Sequence, residues 1–441
     1  MHRRLTRLLS GPSMAPRLAG PVPLALDGVR VLDLSDNVAG AYASKLFAMA
    51  GADVVVVEGS HGSPLRQAPP LIRTPVAGAP PESAAFAYLH AYKRGIGLDL
   101  ATPEGARVLD RLADGANLVI SSFDGEPGVV TDRDARLRGP RSQLTHLVVS
   151  AYGLSGPYRR FVSSSLTDWA AGGYLAITGT PDREPLQGGG PWCGYAAGLT
   201  AAIGALSAMT GARQSGTGRL VDLGAMEAMA AAHQWSIVLF THQGYVKQRG
   251  GNRHMESHHP MGLQAVRDGW IVLGAATQAQ YEAMCIAMDV PEMIVDERFL
   301  TGGHRIDHGD EFDALIAPWL QERTREQVVA EMQAARVPCG KVLALDETLV
   351  DAQLEARALW VTPEHFGIDA MMPGVPFAIG AEKPEFREAP AYGADTRGVL
   401  REAGLTEAEI DALVASAIVM EIAEAPSDGG CVMDLGAEME W

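Results

Sequence analysis

The chain has 441 residues, 47% of them hydrophobic and 20% charged, and a net charge of -17. It is long enough for two domains or one large one with ample core, and its acidity argues against nucleic acid or an anionic membrane as partner, which call for a clustered basic surface. Four cysteines, Cys193, Cys285, Cys339 and Cys431, form no CxxC pair and suit free thiols in a reducing cytoplasm, and no apolar run reaches the about 20 residues that span a bilayer.

Residues 1–24 carry Arg3, Arg4 and Arg7 without an apolar stretch fit for a secretory signal, and are expected to be a disordered leader. Residues 29–34 form an apolar run closed by Ser35, Asp36 and Asn37, turn and cap residues that open a helix in AGAYASKLFAMAG. The Val-rich run at 53–58 reads as a buried strand, so this is a strand, helix, strand unit with a right-handed parallel crossover. In doubly wound sheets the ligand lies off the carboxyl ends of such strands, which places residues 36–39, Val38 and Ala39 among them, at a candidate ligand mouth. No GxGxxG follows the first strand, so a dinucleotide cofactor is not supported.

Residues 62–81 read as a long Pro- and Gly-rich loop carrying Arg66 and Arg73. Lys93 and Arg94 precede the next strand, either to meet phosphates or as a solvated strand entrance. Thr102 and Pro103 start a helix through GARVLDRLADG, and a strand over 117–122 leads to Ser122 and Phe123. DGEPGVVTDRD is read as a loop, with Arg133, Arg136 and Arg138 nearby. After a strand at 147–150, Tyr152 is placed either to polarise a carbonyl or as an ordinary buried tyrosine. Residues 163–198, SSSLTDWAAGGYLAITGTPDREPLQGGGPWCGYAAG, precede the helix-like AAIGALSAM, and a helix N-terminus behind Gly-rich loops suits an anion or oxyanion.

Several blocks in one order, GVRVLDLS with AGAYASKLFAMAGADVVVVE, YKRGIGLDLATPEG, LVVSAYGLSGPY, AAGGYLAITGTPDREPL, TGRLVDLGAMEA, GGNRH, DGWIVLGA, RVPCGKV and PGVPFAIG, cover residues 26–413. In this arrangement the chain resembles the family III CoA-transferases, the group of formyl-CoA transferase, carnitine CoA-transferase and the related acyl-CoA racemases. The resemblance implies an α/β fold: a large doubly wound Rossmann-like domain plus a smaller α+β domain, in a ring-shaped monomer that interlocks as a dimer. It also implies transfer of CoA from an acyl-CoA donor to a carboxylic acid acceptor through an enzyme carboxylate, which is ionised at neutral pH and whose acyl adducts stay activated.

In the family pattern an acid stands eight positions after the Leu of the PL pair and a Gly four later. Here Leu186 is followed by Gly194 and Gly198, so the nucleophile position is a glycine. Asp168 is a candidate substitute, or a helix N-terminal acid that stabilises the macrodipole. Cys193 is another, if a helix N-terminus depresses its pKa, or inert packing; Tyr152 is a third. The implied CoA contacts are Val38, Ala39, Lys93, Arg94, Ser122 and Phe123, the relatives having Asn where Ser122 stands. Two further readings stay open. One is a non-catalytic subunit paired with an acid-bearing homologue. The other is an acyl-CoA racemase, whose histidine position falls at about Ala170.

Beyond Thr217 a strand at 220–223 leads into a helix with Met226, Met229 and Glu227. RGGNRHMESHHP gathers His254, His258 and His259, a possible metal cluster or acid–base group. Val328, Val329, Met332 and Ala335 recur at helical spacing, and Thr406 caps a last helix. The expected division is 25–225 as the first part of the large domain, 226–336 as the small domain, 337–422 as the return segment and 423–441 as a disordered tail. Expected partners are acyl-CoA, used as substrate rather than as a permanently bound cofactor, a small carboxylic acid, and a second copy or a homologue.

Overall fold

A computed structural model describes residues 24–72, 81–123, 127–254, 256–364, 370–379 and 383–421. The expected leader and tail lie outside them, apart from residue 24. The chain divides into two compact units, one of Met1–Asp168, Gly189–Ala232 and Glu355–Trp441, the other of Trp169–Gly188 and His233–Leu354.

The larger unit is built on β1 (Arg30–Leu34), β2 (Asp53–Glu58), β3 (Arg94–Leu98), β4 (Leu118–Phe123), β5 (Thr145–Ser150) and β6 (Leu220–Gly224). They lie in the order β3-β2-β1-β4-β5-β6, all parallel, and Val419–Met420 joins the β3 edge antiparallel. This is a doubly wound order with its switch point between β1 and β4, where the chain winds outward in both directions and leaves a crevice at the strand ends.

Alternation along the strands divides the core between the faces. Val31, Val54, Leu118, Ile120, Leu147 and Val149 face α1 (Val38–Met49) and α6 (Trp192–Ser215). Leu32, Val55, Ile96, Leu98 and Val119 face α3 (Pro103–Ala113), whose Val108, Leu109 and Leu112 form its buried stripe. Between them α2 (Ala84–His90) follows the β2 crossover and α4 (Pro127–Arg138) the β4 crossover. The helix α5 (Ser165–Ala171) precedes α6.

Small residues let α1 and α6 cross closely. A Cβ built on Gly194 would stand 2.9 Å from Val38 Cβ and Cγ1, and one on Gly198 2.7 Å from the Ala39 carbonyl. Ala197, Ala201 and Ala205 continue the buried face. The 24-residue α6 holds an 18-residue window with a mean hydropathy of 1.3, long and apolar enough to cross a bilayer by length and composition. That corrects the expectation that no segment reaches such a length; its many Ala and Gly hide the apolar run.

The smaller unit has a three-stranded antiparallel sheet, β7 (Met261–Val266), β8 (Gly269–Gly274) and β9 (Cys339–Lys341), with β8 central. Its core joins Ile271 and Leu273 to Tyr281, Met284, Phe312 and Ile316, and to Val328 and Met332 of the expected stripe. The boundaries differ from those expected. Residues 226–232 stay with the large sheet because Ala225 and Ala228 pack into its core. Residues 337–354 stay with the smaller unit because β9 pairs with β8. Residues 169–188 also belong to it, because Gly251 N donates to Gly179 O at 3.0 Å and Arg249 Nε to Thr180 O at 3.1 Å.

Candidate functional site

The crevice forms where β1 and β4 end. Asn37 caps α1, its Oδ1 accepting from Gly40 N at 2.9 Å, and position 40 must be glycine because a Cβ there would stand 2.4 Å from Ser35 Cβ. Asp36 N donates to Ser122 Oγ at 3.1 Å, and Ser122 in turn donates to the Asp36 carboxylate, so the two strand ends are tied together at the switch point. Val38 and Ala39 open α1 and abut the first turn of α6 at Gly194. Among the described residues the amides of Val38, Ala39, Trp192 and Gly194 find no acceptor. Two helix N-termini thus converge on one spot, each with free N–H groups and the positive end of its dipole, an arrangement that receives an anion or a developing oxyanion.

Asp168 belongs to this neighbourhood. It is buried, and its Oδ1 has no partner. Loss of solvation pushes its carboxyl up to about 6. Its charge acts on the Cys193 thiol, which burial and this carboxylate push up to about 11. Cys193 is therefore a protonated thiol at neutral pH, and the expectation that the α6 N-terminus would activate it is corrected. Desolvation outweighs the dipole there. Asp168 does not cap its helix; Ser164 does, its Oγ accepting from Thr167 N at 3.3 Å.

Lys93 and Arg94 are not part of the crevice. The Lys93 ammonium is fully buried and donates to Asp33 Oδ2 at 3.0 Å, Ala41 O at 2.9 Å and Ser44 Oγ at 2.7 Å, with His90 Nδ1 at 3.2 Å. Its donors are used inside the protein. The same Asp33 carboxylate receives Ser35 N and Oγ, so the pair pins the turn after β1. Arg94 lies at the opposite, N-terminal edge of the sheet, where it and Arg30 pair with Asp53 and Glu402. As phosphate ligands both are corrected: one strand start sends alternate side chains inward and to the far edge. Arg66 is likewise paired, with Glu58, and Arg73 lies outside the described residues.

A cation near enough to the crevice for Asp36 to act on it is one that sequence reading left unassigned. Residues 127–138 form a helix rather than the expected loop. Arg136 is paired with Asp110 and Arg138 with Asp134. Arg133 makes no hydrogen bond or ion pair with a described residue and responds to the charge of Asp36, although partial burial holds it below the usual arginine range. Pro127 at a helix start was the available signal. Phe123 ends β4 beside Ser122. Tyr152 is half-buried in an aromatic group with Tyr158 and Phe161, at ring separations of 5.9 Å and 6.2 Å.

Near the crossing, Tyr42, Tyr88 and Tyr195 form a cluster over Lys45, whose ammonium lies 3.2 Å from the Tyr88 ring centroid and donates to Tyr88 O at 2.5 Å. Burial and the neighbouring Lys93 charge push Lys45 down to about 6. In the smaller unit, His259 pairs with Asp313 at 3.0 Å, and among the described residues no three His, Cys, Asp or Glu side chains converge as a metal site.

A family model described as CoA-transferase family III matches residues 26–396. The succinyl-CoA–D-citramalate CoA-transferase of Chloroflexus aurantiacus is 31% identical over 405 residues, spanning 90% of this chain and 98% of the relative. A succinyl-CoA:(R)-benzylsuccinate CoA-transferase subunit of Thauera aromatica is 28% identical over 403 residues, spanning 87% and 96%. The crystal structure of a CAIB/BAIF family protein from Brucella suis matches with a TM-score of 0.75 at 24% identity, covering 87% of this chain and all of that one, a likeness of fold.

Proposed function

The chain belongs to CoA-transferase family III, and from that premise we propose that it moves CoA from an acyl-CoA thioester to a carboxylic acid, with Asp168 as the carboxylate that takes the acyl load. The observation that carries this is the buried Asp168 carboxylate with an unpartnered Oδ1, which acts electrostatically on the residue beside Gly194. A carboxyl near 6 is still ionised at neutral pH, and poor solvation makes it the more nucleophilic.

A carboxylate oxygen of Asp168 adds to the thioester carbonyl and the C–S bond breaks, leaving an anhydride and CoA thiolate. The thiolate adds to the Asp168 carbonyl and releases the donor acid, leaving an enzyme thioester; the acceptor carboxylate reverses the sequence. Free amides of Ala39 and Gly194 suit the oxyanion of each addition. CoA is a substrate here, and no permanently bound cofactor is needed. In so acidic a chain its phosphates call for local donors, for which Arg133 and the α1 N-terminus are suited. The names of the relatives make succinyl-CoA the first donor to try. An interlocked homodimer or a heterodimer goes with the family resemblance; a monomer by light scattering at micromolar concentration would refute it.

A second reading, a silent subunit beside an acid-bearing homologue, is favoured by one observation: position 194 has no room for a side chain while Val38 stands where it does. To separate the two, the purified chain is incubated with succinyl-CoA and hydroxylamine, and peptides are searched by mass spectrometry for a hydroxamate at Asp168. An adduct absent from Asp168→Asn supports solo transfer. No adduct with any of a panel of donors overturns it in favour of the silent subunit.

A further inference from the structure

The smaller unit carries a second set of reactive side chains that CoA transfer does not use. His254 Nδ1 lies 3.1 Å from Glu256 Oε2, and His254 Nε2 lies 2.9 Å from Ser257 Oγ. Acid, imidazole and hydroxyl are thus in the order carboxylate to Nδ1 and Nε2 to oxygen, which is the order a general base needs in order to take a proton from a serine. The carboxylate is buried, with its side chain 5% exposed, and is anchored by Lys247 Nζ at 2.9 Å from Oε1. Its Oε2 makes no hydrogen bond, so His254 Nδ1 meets it across an ion-pair contact only.

Ser257 itself is exposed. Its hydroxyl also lies 2.6 Å from His258 Nδ1, and His258 Nε2 lies 2.9 Å from Met261 Sδ. His258 has a thioether behind it and no carboxylate, so His254 is the ring equipped to hold an imidazolium. Among the described residues the backbone amides of Ser257 and His258 find no acceptor. The nucleophile's own amide and the next one are the groups that commonly receive the oxyanion beside a serine nucleophile.

We propose that Ser257, His254 and Glu256 form a serine-hydrolase relay that cleaves short acyl esters and thioesters, an activity separate from CoA transfer. Ser257 Oγ adds to the acyl carbon as its proton passes to His254 Nε2. The C–S or C–O bond breaks, and the leaving thiolate or alkoxide takes that proton. Water then gives a proton to Nε2 and adds to the acyl-serine, the bond to Oγ breaks, and the proton returns to Oγ. The net change is ester plus water to acid plus thiol or alcohol, with no other reactant.

The test uses the full chain, a fluorophosphonate label that traps activated serines, and p-nitrophenyl acetate. Mass spectrometry is expected to place the label on Ser257. Ser257→Ala is expected to abolish labelling, His254→Ala to lower labelling and hydrolysis about 10²-fold, and Glu256→Gln to lower both at least tenfold. Circular dichroism melts establish that each variant is folded. Should Glu256→Gln unfold, Lys247→Met, which frees the carboxylate from its anchor, takes its place with the same expected direction. Labelling that persists in folded Ser257→Ala, or in folded His254→Ala, overturns the relay, as does wild-type labelling no greater than that of Ser257→Ala.

Discussion

Substitution of Gly194 by alanine sets two physical effects of opposite sign against each other. Gly is worth up to about 1 kcal/mol less than Ala in a helix, the full amount in its interior and less in a first turn, so propensity alone has Gly194→Ala stabilise α6. Geometry says otherwise. The added Cβ would stand 2.9 Å from both Val38 Cβ and Cγ1, closer than carbon atoms pack, and Val38 is held in α1 with the rest of the core beneath it. Overpacking of this kind costs about 1–3 kcal/mol, so the net expectation is a loss of about 0–2 kcal/mol. An internal control lies on the same helix: nothing stands within 4 Å of a Cβ on Gly211, and Gly211→Ala is expected to stabilise by about 1 kcal/mol. Urea unfolding followed by circular dichroism measures both. Val38→Ala is then combined with Gly194→Ala, and the double variant should recover more than the sum of the single changes, because the two positions touch. Gly194→Ala as stabilising as Gly211→Ala, with no coupling to Val38, would refute the steric account of the missing acid.

Asp168→Asn should stabilise the protein by about 1–3 kcal/mol at pH 7.5. A carboxyl raised in the folded state opposes folding above about 6 and does so no longer once it is protonated in both states, so the gap should close below pH 4 in unfolding titrations. If Asp168 is the nucleophile, transfer in the wild type should fall as pH drops through about 6, read by chromatography of the CoA products. Lys45→Met should stabilise by about 2–4 kcal/mol at pH 7. A lysine pushed down to about 6 penalises the fold at every pH below its ordinary value, most below about 6, so the wild type should gain stability as pH rises from there towards that value while the variant does not. Arg133→Ala should weaken CoA binding about tenfold and reduce its dependence on salt, by calorimetry at two ionic strengths.

The sheet was legible in part because Val54, Val55 and Val56 leave little choice but a strand buried on both faces. Strand order was beyond periodicity, since β1 pairs with β4 across more than eighty residues. The family resemblance supplied a doubly wound sheet, and the structure its order. At the site, sequence located the crevice through Asn37, Ser122 and the Gly-rich approach to α6. It misread charge: Lys93 and Arg94 are adjacent letters with separate surroundings, and neither letter says which carboxylate waits for it. Arg133 was hidden because the composition of its helix is that of a loop. The absence at 194 was visible, but its cause, a close crossing with Val38, belongs to the third dimension.

The smaller unit is assembled from two stretches of chain, Trp169–Gly188 and His233–Leu354. The shorter stretch is held to the longer by Gly251 and Arg249. Neither stretch is therefore a natural product of gene dissection. A piece cut at residue 232 takes the histidines but leaves behind the strip carrying Gly179 and Thr180, and loses partners for its own backbone. Duplication, fusion or transplantation of this region would need both strips carried together on one contiguous graft.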